Sequence, residues 1–382
     1  MPGRILIAGG GTGGHIYPGL AVAEEWTALG GTAAFIGVPG NIEARVVPEA
    51  GYPFYPIEVK GFTRGRSASA RLKAIKALVL LLTLSPLRQA LTAIREFRPD
   101  AVLGVGGYVS GPAILAARIA GVPTMVLQLD ARSGIANRVA SLFASRIGIS
   151  IPEAAAQFRR RDRVRLVGNP IRKGVLSCTN ADGIAAFELD GDRKTLLIFG
   201  GSLGSLAINE AAVGALPIIA EGGHGSHLQV IHVTGKKYPV RLETSRAQDL
   251  GLKYEAMDYC DRMPLALAAA DLVISRAGAT TIAELTARGI PAILVPWAGA
   301  ADNHQEGNAR AMEAAGAARV VLDRELSAVP LAAAVNDLIR DPARLHSMAA
   351  AARSRGIPDA SARVAAELND LIAARRGCES RG

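Results

Sequence analysis

Aromatic side chains are scarce: 8 Phe, 7 Tyr and 2 Trp make up 4% of 382 residues. With so few stacking platforms, and with no zinc-knuckle spacing or sustained basic helix, the sequence is read as having no nucleic-acid partner. Cysteine is nearly absent as well. Cys178, Cys260 and Cys378 are scattered without metal-ligand spacing and cannot all pair within one chain, which suits a reducing cytoplasm and argues against a disulfide scaffold. No apolar run reaches the roughly 18 residues needed to cross a bilayer, and no signal-peptide pattern precedes the first glycines. Acidic residues are thin in one half only: residues 1–170 hold 10 Asp/Glu against 20 Lys/Arg, the rest 24 against 23. All the excess of the +9 net charge therefore lies in the first half, which points to an anionic partner there. A hydrophobic content of 49% with 20% charged residues describes a globular chain long enough for two domains.

What is abundant is glycine, 42 residues, and its placement is regular. Short β-rich runs at 4–8, 32–37, 101–105, 124–127, 164–167, 195–199, 227–234, 272–275 and 292–296 alternate with Ala/Leu-rich helical stretches. That alternation is the grammar of parallel sheets covered by helices on both faces. The strand–glycine loop–helix unit at residues 4–26 recurs at 195–216. The expectation is an α/β protein of two doubly wound, Rossmann-like domains, 1–168 and 169–358, joined near "VGNPIRKG", with a last helix at 359–376 packing back on the first domain.

Gly9, Gly11 and Gly14 satisfy G-x-G-x-x-G between a strand and a helix, a pattern that lets backbone amides approach a phosphate. A dinucleotide site also wants an acidic residue at the end of the second strand; that strand ends at Gly37, and Glu43 comes too late. Two further loops, "VLGVGGYVSGP" and "LIFGGSLGSLAIN", repeat the design. Such glycines also make ordinary tight turns, but three loops together suggest a cleft with phosphates on both sides. In "ISRAGATTIAEL", Thr280 and Thr281 open a helix whose N-terminus suits a phosphate. Glu284 is placed either to accept two ribose hydroxyls or merely to favour the helix dipole. Asn303, His304, Gln305 and Asn308 are uncharged groups of the kind that read sugar hydroxyls, or surface caps.

Taken together, "GGTGGHIYPGLAVAEE", "GGYVSGP", "GNPIR", "GGSLGS", "RAGATTIAEL", "DNHQEGNA" and "IPDASARVAAEL" resemble, in order and over nearly the whole chain, the MurG family. These are glycosyltransferases of the two-domain GT-B fold. The resemblance implies transfer of N-acetylglucosamine from UDP-GlcNAc to undecaprenyl-pyrophosphoryl-MurNAc-pentapeptide, lipid I, at the cytoplasmic face of the bacterial membrane. It implies that Thr12, Gly13 and Gly14 lie beside the donor; that Arg172, Ser202, Ala279, Thr280, Thr281 and Glu284 hold uridine diphosphate, with Glu284 on the ribose; and that the backbone at Cys260 reads uracil. Gln305 and Asn308 would contact the sugar. His15 and Tyr108 would face the acceptor, whose pyrophosphate would rest on the first two glycine loops. One motif departs: where the family has His-Glu-Gln-Asn, this chain has Gln128, Leu129, Asp130 and Ala131, so acceptor handling would be rewired around Asp130 and Arg132.

Sugar transfer requires stabilising the leaving diphosphate and deprotonating the attacking hydroxyl. Helix N-termini, loop amides and Arg172 meet the first requirement, so no metal and no cofactor is expected. For the second, His15 is the candidate base; it equally suits a loop cap or a phosphate ligand, and Asp130 competes for the role. Residues 71–98 surround the apolar "ALVLLLTL" with Arg71, Lys73, Lys76, Arg88, Arg95 and Arg98. That pattern fits either core or peripheral attachment to an anionic membrane surface. The rivals are a glycolipid synthase, a UDP-GlcNAc epimerase and, more remotely, a NAD-dependent oxidoreductase.

Overall fold

The computed structural model describes residues 2–11, 13–59, 84–201, 203–300 and 303–379. Two compact units divide the chain: Met1–Arg172 with Asp359–Gly382, and Lys173–Pro358. In the first, β1 (Arg4–Gly9), β2 (Thr32–Gly37), β3 (Phe54–Pro56), β4 (Ala101–Gly106), β5 (Thr124–Gln128), β6 (Arg146–Ile149) and β7 (Val164–Leu166) pair in the order 3-2-1-4-5-6-7. In the second, β8 (Lys194–Phe199), β9 (Leu228–Val233), β10 (Lys253–Met257), β11 (Leu272–Ser275), β12 (Ala292–Leu294) and β13 (Ala318–Val320) pair in the order 10-9-8-11-12-13. Every neighbouring pair is parallel.

Helices on both faces are the reason the central strands read as unbroken apolar runs. β4 and β9 are buried at every residue. Each unit has its own core: Leu6, Ile36, Val102, Ile114 and Val126 contribute to the first, and Leu196, Ile198, Ile274, Ile293 and Leu331 to the second. Each such side chain contributes about 1.5–3 kcal/mol on burial. Four strands escaped the periodicity reading. Three of them, β3, β10 and β13, lie at sheet edges, where half-exposed positions dilute the apolar signal; the fourth, β6, is only four residues long.

The helix Ala360–Glu379 buries Ala360, Val364, Leu368, Leu371 and Ile372, a spacing of one helical face. It packs on the helix Gly13–Ala28 of the first unit. Arg146 donates to its Glu367 at 3.3 Å, and Arg376 donates to Asp100 at 3.1 Å. Among the described residues no helix is long and apolar enough to cross a membrane.

Candidate functional site

In a doubly wound sheet the winding reverses beside the first strand, and ligands bind there, beyond the carboxyl ends of the strands. The strand orders place that reversal between β1 and β4 and between β8 and β11. The connections leaving these four strands carry the glycine motifs, so the motifs fall at the switch points of their own sheets.

In the first unit, the β1–β4 ladder slips at its end, with Ala8 opposite Gly104 but Gly9 opposite Gly106. Gly106 and Gly107 have φ of +122° and +79°. A Cβ on Gly106 would stand 2.6 Å from His15 Cδ2, and one on Gly107 would stand 2.4 Å from the Gly10 carbonyl oxygen. Both positions therefore demand glycine for space as well as for conformation. The two loops pack backbone on backbone, with the half-buried His15 imidazole against Gly106. Buried Ser110 ties them: its Oγ accepts from the Gly106 N–H and lies 2.9 Å from the carbonyl oxygens of Ala8 and Gly106, to one of which it donates. Tyr108 is 37% exposed beside this contact, and Gly14 is exposed.

Glu43, dismissed as a ribose ligand, lies at the start of the helix Glu43–Glu49 with no exposed surface. Its carboxylate accepts from the Gly11 N–H at 3.1 and 3.2 Å, from the Val38 N–H at 3.2 Å and from Asn41 Nδ2 at 3.4 Å. It fills the space that a Cβ on Gly10 would need. The Gly11 amide is thus committed to a protein carboxylate. Thr12 lies outside the described residues.

At the end of β5 and just past it, Gln128, Leu129 and Ala131 are buried, leaving Asp130 half-buried and Arg132 exposed. Gln128 Nε2 donates to the carbonyls of Asp130 and Arg132, while its Oε1 accepts from Asn137 Nδ2. Gln157 closes the other side, donating to the Ala131 carbonyl and accepting from the Ser133 N–H. The departure from the family motif is therefore a turn braced by side-chain amides. Asp130 and Arg132 are its only members within 128–132 that reach solvent.

In the second unit the loop after β8 abuts the loop after β9: a Cβ on Gly204 would stand 2.1 Å from the Thr234 carbonyl oxygen. Ser205 caps the helix Leu206–Ile219. Arg276, at the end of β11, donates Nη2 to Ser205 Oγ at 2.8 Å and Nη1 to Asp323 at 2.7 Å and to the Val295 carbonyl. It therefore clamps three strand ends. Beneath lies a buried chain: Asn209 Nδ2 donates to the carbonyls of Thr234 and Tyr238, and its Oδ1 is 3.2 Å from His232 Nε2. His232 Nδ1 is 2.8 Å from the Tyr254 hydroxyl. Burial, then the charge of Arg241, depress the His232 pKa to about 4.

The helix Ala279–Arg288 starts after Gly278, with Ala279, Thr280 and Thr281 half-buried in its first turn. Glu284, one turn on, is 7% exposed. Asn308 is wholly buried and donates to the Ala277 carbonyl at 3.1 Å, so it holds the loop that feeds this helix. Gln305 accepts from the Trp297 N–H at 3.0 Å. Cys260 is half-buried, and burial pushes its thiol pKa up. Ser202 lies outside the described residues.

The two switch points, one in each unit, set the fold, and comparison with known proteins names the family. Residues 5–149 match the glycosyltransferase family 28 N-terminal domain and 195–364 its C-terminal domain. A protein of Halothermothrix orenii is 40% identical over 93% of this chain and 95% of its own, and one of Moorella thermoacetica is 42% identical over 94% and 96%. Both are named UDP-N-acetylglucosamine--N-acetylmuramyl-(pentapeptide) pyrophosphoryl-undecaprenol N-acetylglucosamine transferase. The chain belongs to the MurG family. It is a glycosyltransferase with the GT-B fold. The crystal structure of Acinetobacter baumannii MurG is similar with a TM-score of 0.73 at 26% identity, covering 97% of this chain and all of that one.

Sequence reasoning passed over Glu43, Ser110, Arg276 and the Asn209–His232–Tyr254 chain. Arg276 and Ser110 stood inside quoted motifs, where a polar residue at a strand end was the available signal. Asn209 also stood at the end of a quoted motif, but neither it nor His232 gave a signal, because a buried polar pair shows only once the elements are packed.

Proposed function

We propose that this enzyme transfers N-acetylglucosamine from UDP-GlcNAc to lipid I, undecaprenyl-pyrophosphoryl-MurNAc-pentapeptide, yielding lipid II. The observation that carries this reading is identity of about 40% along nearly the full length of relatives bearing that name. The chemistry of the second unit supports it. A helix N-terminus with two threonines suits a diphosphate, and the buried Glu284 suits the paired hydroxyls of a ribose. Ser202, Ala279, Thr280, Thr281 and Arg172 would stabilise the departing uridine diphosphate, the backbone at Cys260 would read uracil, and Gln305 would meet the sugar.

His15 would take the proton from the attacking hydroxyl, its ring held by Gly106; Tyr108, Asp130 and Arg132 would face the acceptor. A single displacement by that hydroxyl inverts the anomeric centre. The basic first unit would sit peripherally on the cytoplasmic membrane face. Arg88, Arg95 and Arg98 are exposed on and after the helix Leu84–Phe97, and Ile119 on the adjoining helix is 60% exposed; residues 60–83, the rest of the apolar stretch, lie outside the described residues. Sedimentation with anionic vesicles, reversed by high salt and absent with neutral ones, is the expected result.

The deciding assay incubates the protein with UDP-GlcNAc and a short-chain lipid I analogue. UDP release coupled to a disaccharide product is expected. Hydrolysis or epimerisation without transfer, or transfer to diacylglycerol alone, would overturn the proposal. Near-normal turnover in both His15→Ala and Asp130→Ala would remove both candidate bases.

A further inference from the structure

Tyr17 has been given no role, yet it stands between two residues that have one. It lies one helical turn into the helix Gly13–Ala28. A Cβ on Gly13 would stand 3.2 Å from Tyr17 Cε2, so the ring covers the glycine that starts this helix. On the ring the guanidinium carbon of Arg172 lies 5.2 Å from the centroid, within the range of a cation–π contact. Arg172 is the last residue of the first unit before the chain passes into the second. It stands two residues after Pro170, and its own side chain is half-buried.

We propose that Tyr17 is a positioning residue: its ring orients the Arg172 guanidinium toward the diphosphate of the sugar nucleotide. This rests on the assignment of Arg172 to that diphosphate. An arginine side chain has several rotatable bonds and loses substantial freedom when it binds an anion. A guanidinium already stacked on a ring, with the ring itself lodged against a glycine, gives up less of that freedom on binding. A Cβ at residue 13 would require the ring edge to give by a few tenths of an ångström, so the ring is close against this glycine.

The test uses the full-length protein with UDP-GlcNAc and the lipid I analogue, together with UDP binding measured by calorimetry. Tyr17→Phe keeps the aromatic face and is expected to stay within about twofold of wild type. Tyr17→Leu keeps bulk but no π face; it is expected to weaken UDP binding and lower kcat/KM for the donor by about fivefold to twentyfold, leaving KM for the acceptor unchanged. In the Tyr17→Leu background, Arg172→Lys is expected to cost several-fold less than in the wild type, because a double-mutant cycle reads the contact itself.

Equal donor kinetics in Tyr17→Leu and Tyr17→Phe, or additive effects of Tyr17→Leu and Arg172→Lys, would overturn the inference while leaving Arg172's own role intact. Unchanged UDP affinity and turnover in Arg172→Ala would instead remove the assignment on which it rests. A circular-dichroism melt of each variant identifies loss through unfolding; should Tyr17→Leu unfold, Tyr17→Met, retaining bulk without the ring, carries the same expectations.

Discussion

The two units share the order of six strands, the first adding β7 at its edge, but hold their glycine loops by opposite means. In the first, which carries 25 Lys/Arg and 14 Asp/Glu, the loop after β1 is anchored from beneath by a carboxylate, Glu43, that is met only by N–H donors among the described residues. In the second, with 18 Lys/Arg and 20 Asp/Glu, the loop after β8 is anchored by a guanidinium, Arg276, whose charge Asp323 balances at 2.7 Å. A negative charge beneath a loop disfavours a bound anion, while a balanced pair leaves the helix N-terminus to attract one. On the proposed function, the second unit would seat the leaving diphosphate and the first would hold the attacking hydroxyl beside His15.

The contrast is sharpest at Glu43. Glu43→Ala removes the acceptor of the part-buried Gly11 and Val38 amides and empties a buried side-chain site, so a loss of about 3 kcal/mol is expected. Urea unfolding would measure it, and hydrogen exchange should show lost protection at residues 9–11 and 37–41 with 200–205 unchanged. Equal losses in both units would erase the distinction.

His232 offers a lever on the second unit alone. Its folded pKa, near 4, lies below the unfolded value of about 6.5, so the unfolded chain binds the proton first. Its contribution is present in full above about pH 6.5 and is lost as pH falls toward 4, amounting to about 3 kcal/mol. Urea titrations of wild type and His232→Gln across that window should converge at low pH. Parallel curves would show that another group carries the dependence.

Glu284→Ala removes a buried acceptor from the proposed nucleotide seat. A hundredfold fall in kcat/KM for the donor, about 2.7 kcal/mol, is expected with acceptor KM unchanged. A change confined to the acceptor would reverse the assignment of the two units. The smallest effect is expected for Ser110→Ala, about 1–2 kcal/mol from the unpaired Gly106 amide. Its mark should be a lower kcat, because the Gly106 turn against which His15 packs loosens.

The strands and loops that could be read in advance are those with strong local signals. β1, β4, β8 and β9 are apolar because both of their faces are covered, and glycines mark the turns that follow. The edge strands β3, β10 and β13 were not legible, since half-exposed residues carry no clear period. The family motifs led to His15, Tyr108, Arg172 and Glu284. Glu43 and Arg276 remained hidden because each acts on a loop 32 or 71 residues away in the chain.

By itself, then, the sequence determined where the chain turns, which runs are buried, which half carries the charge and which family the motifs resemble; all of these are set by neighbours within a few residues. Only the tertiary structure decided that Gly106 presses on His15, that Asn308 is spent on a carbonyl, and that a carboxylate supports one glycine loop and a guanidinium the other. Those outcomes depend on which strand ends lie side by side in a parallel sheet. Strand order is a global choice, made by burial of the whole core rather than by any short stretch of residues.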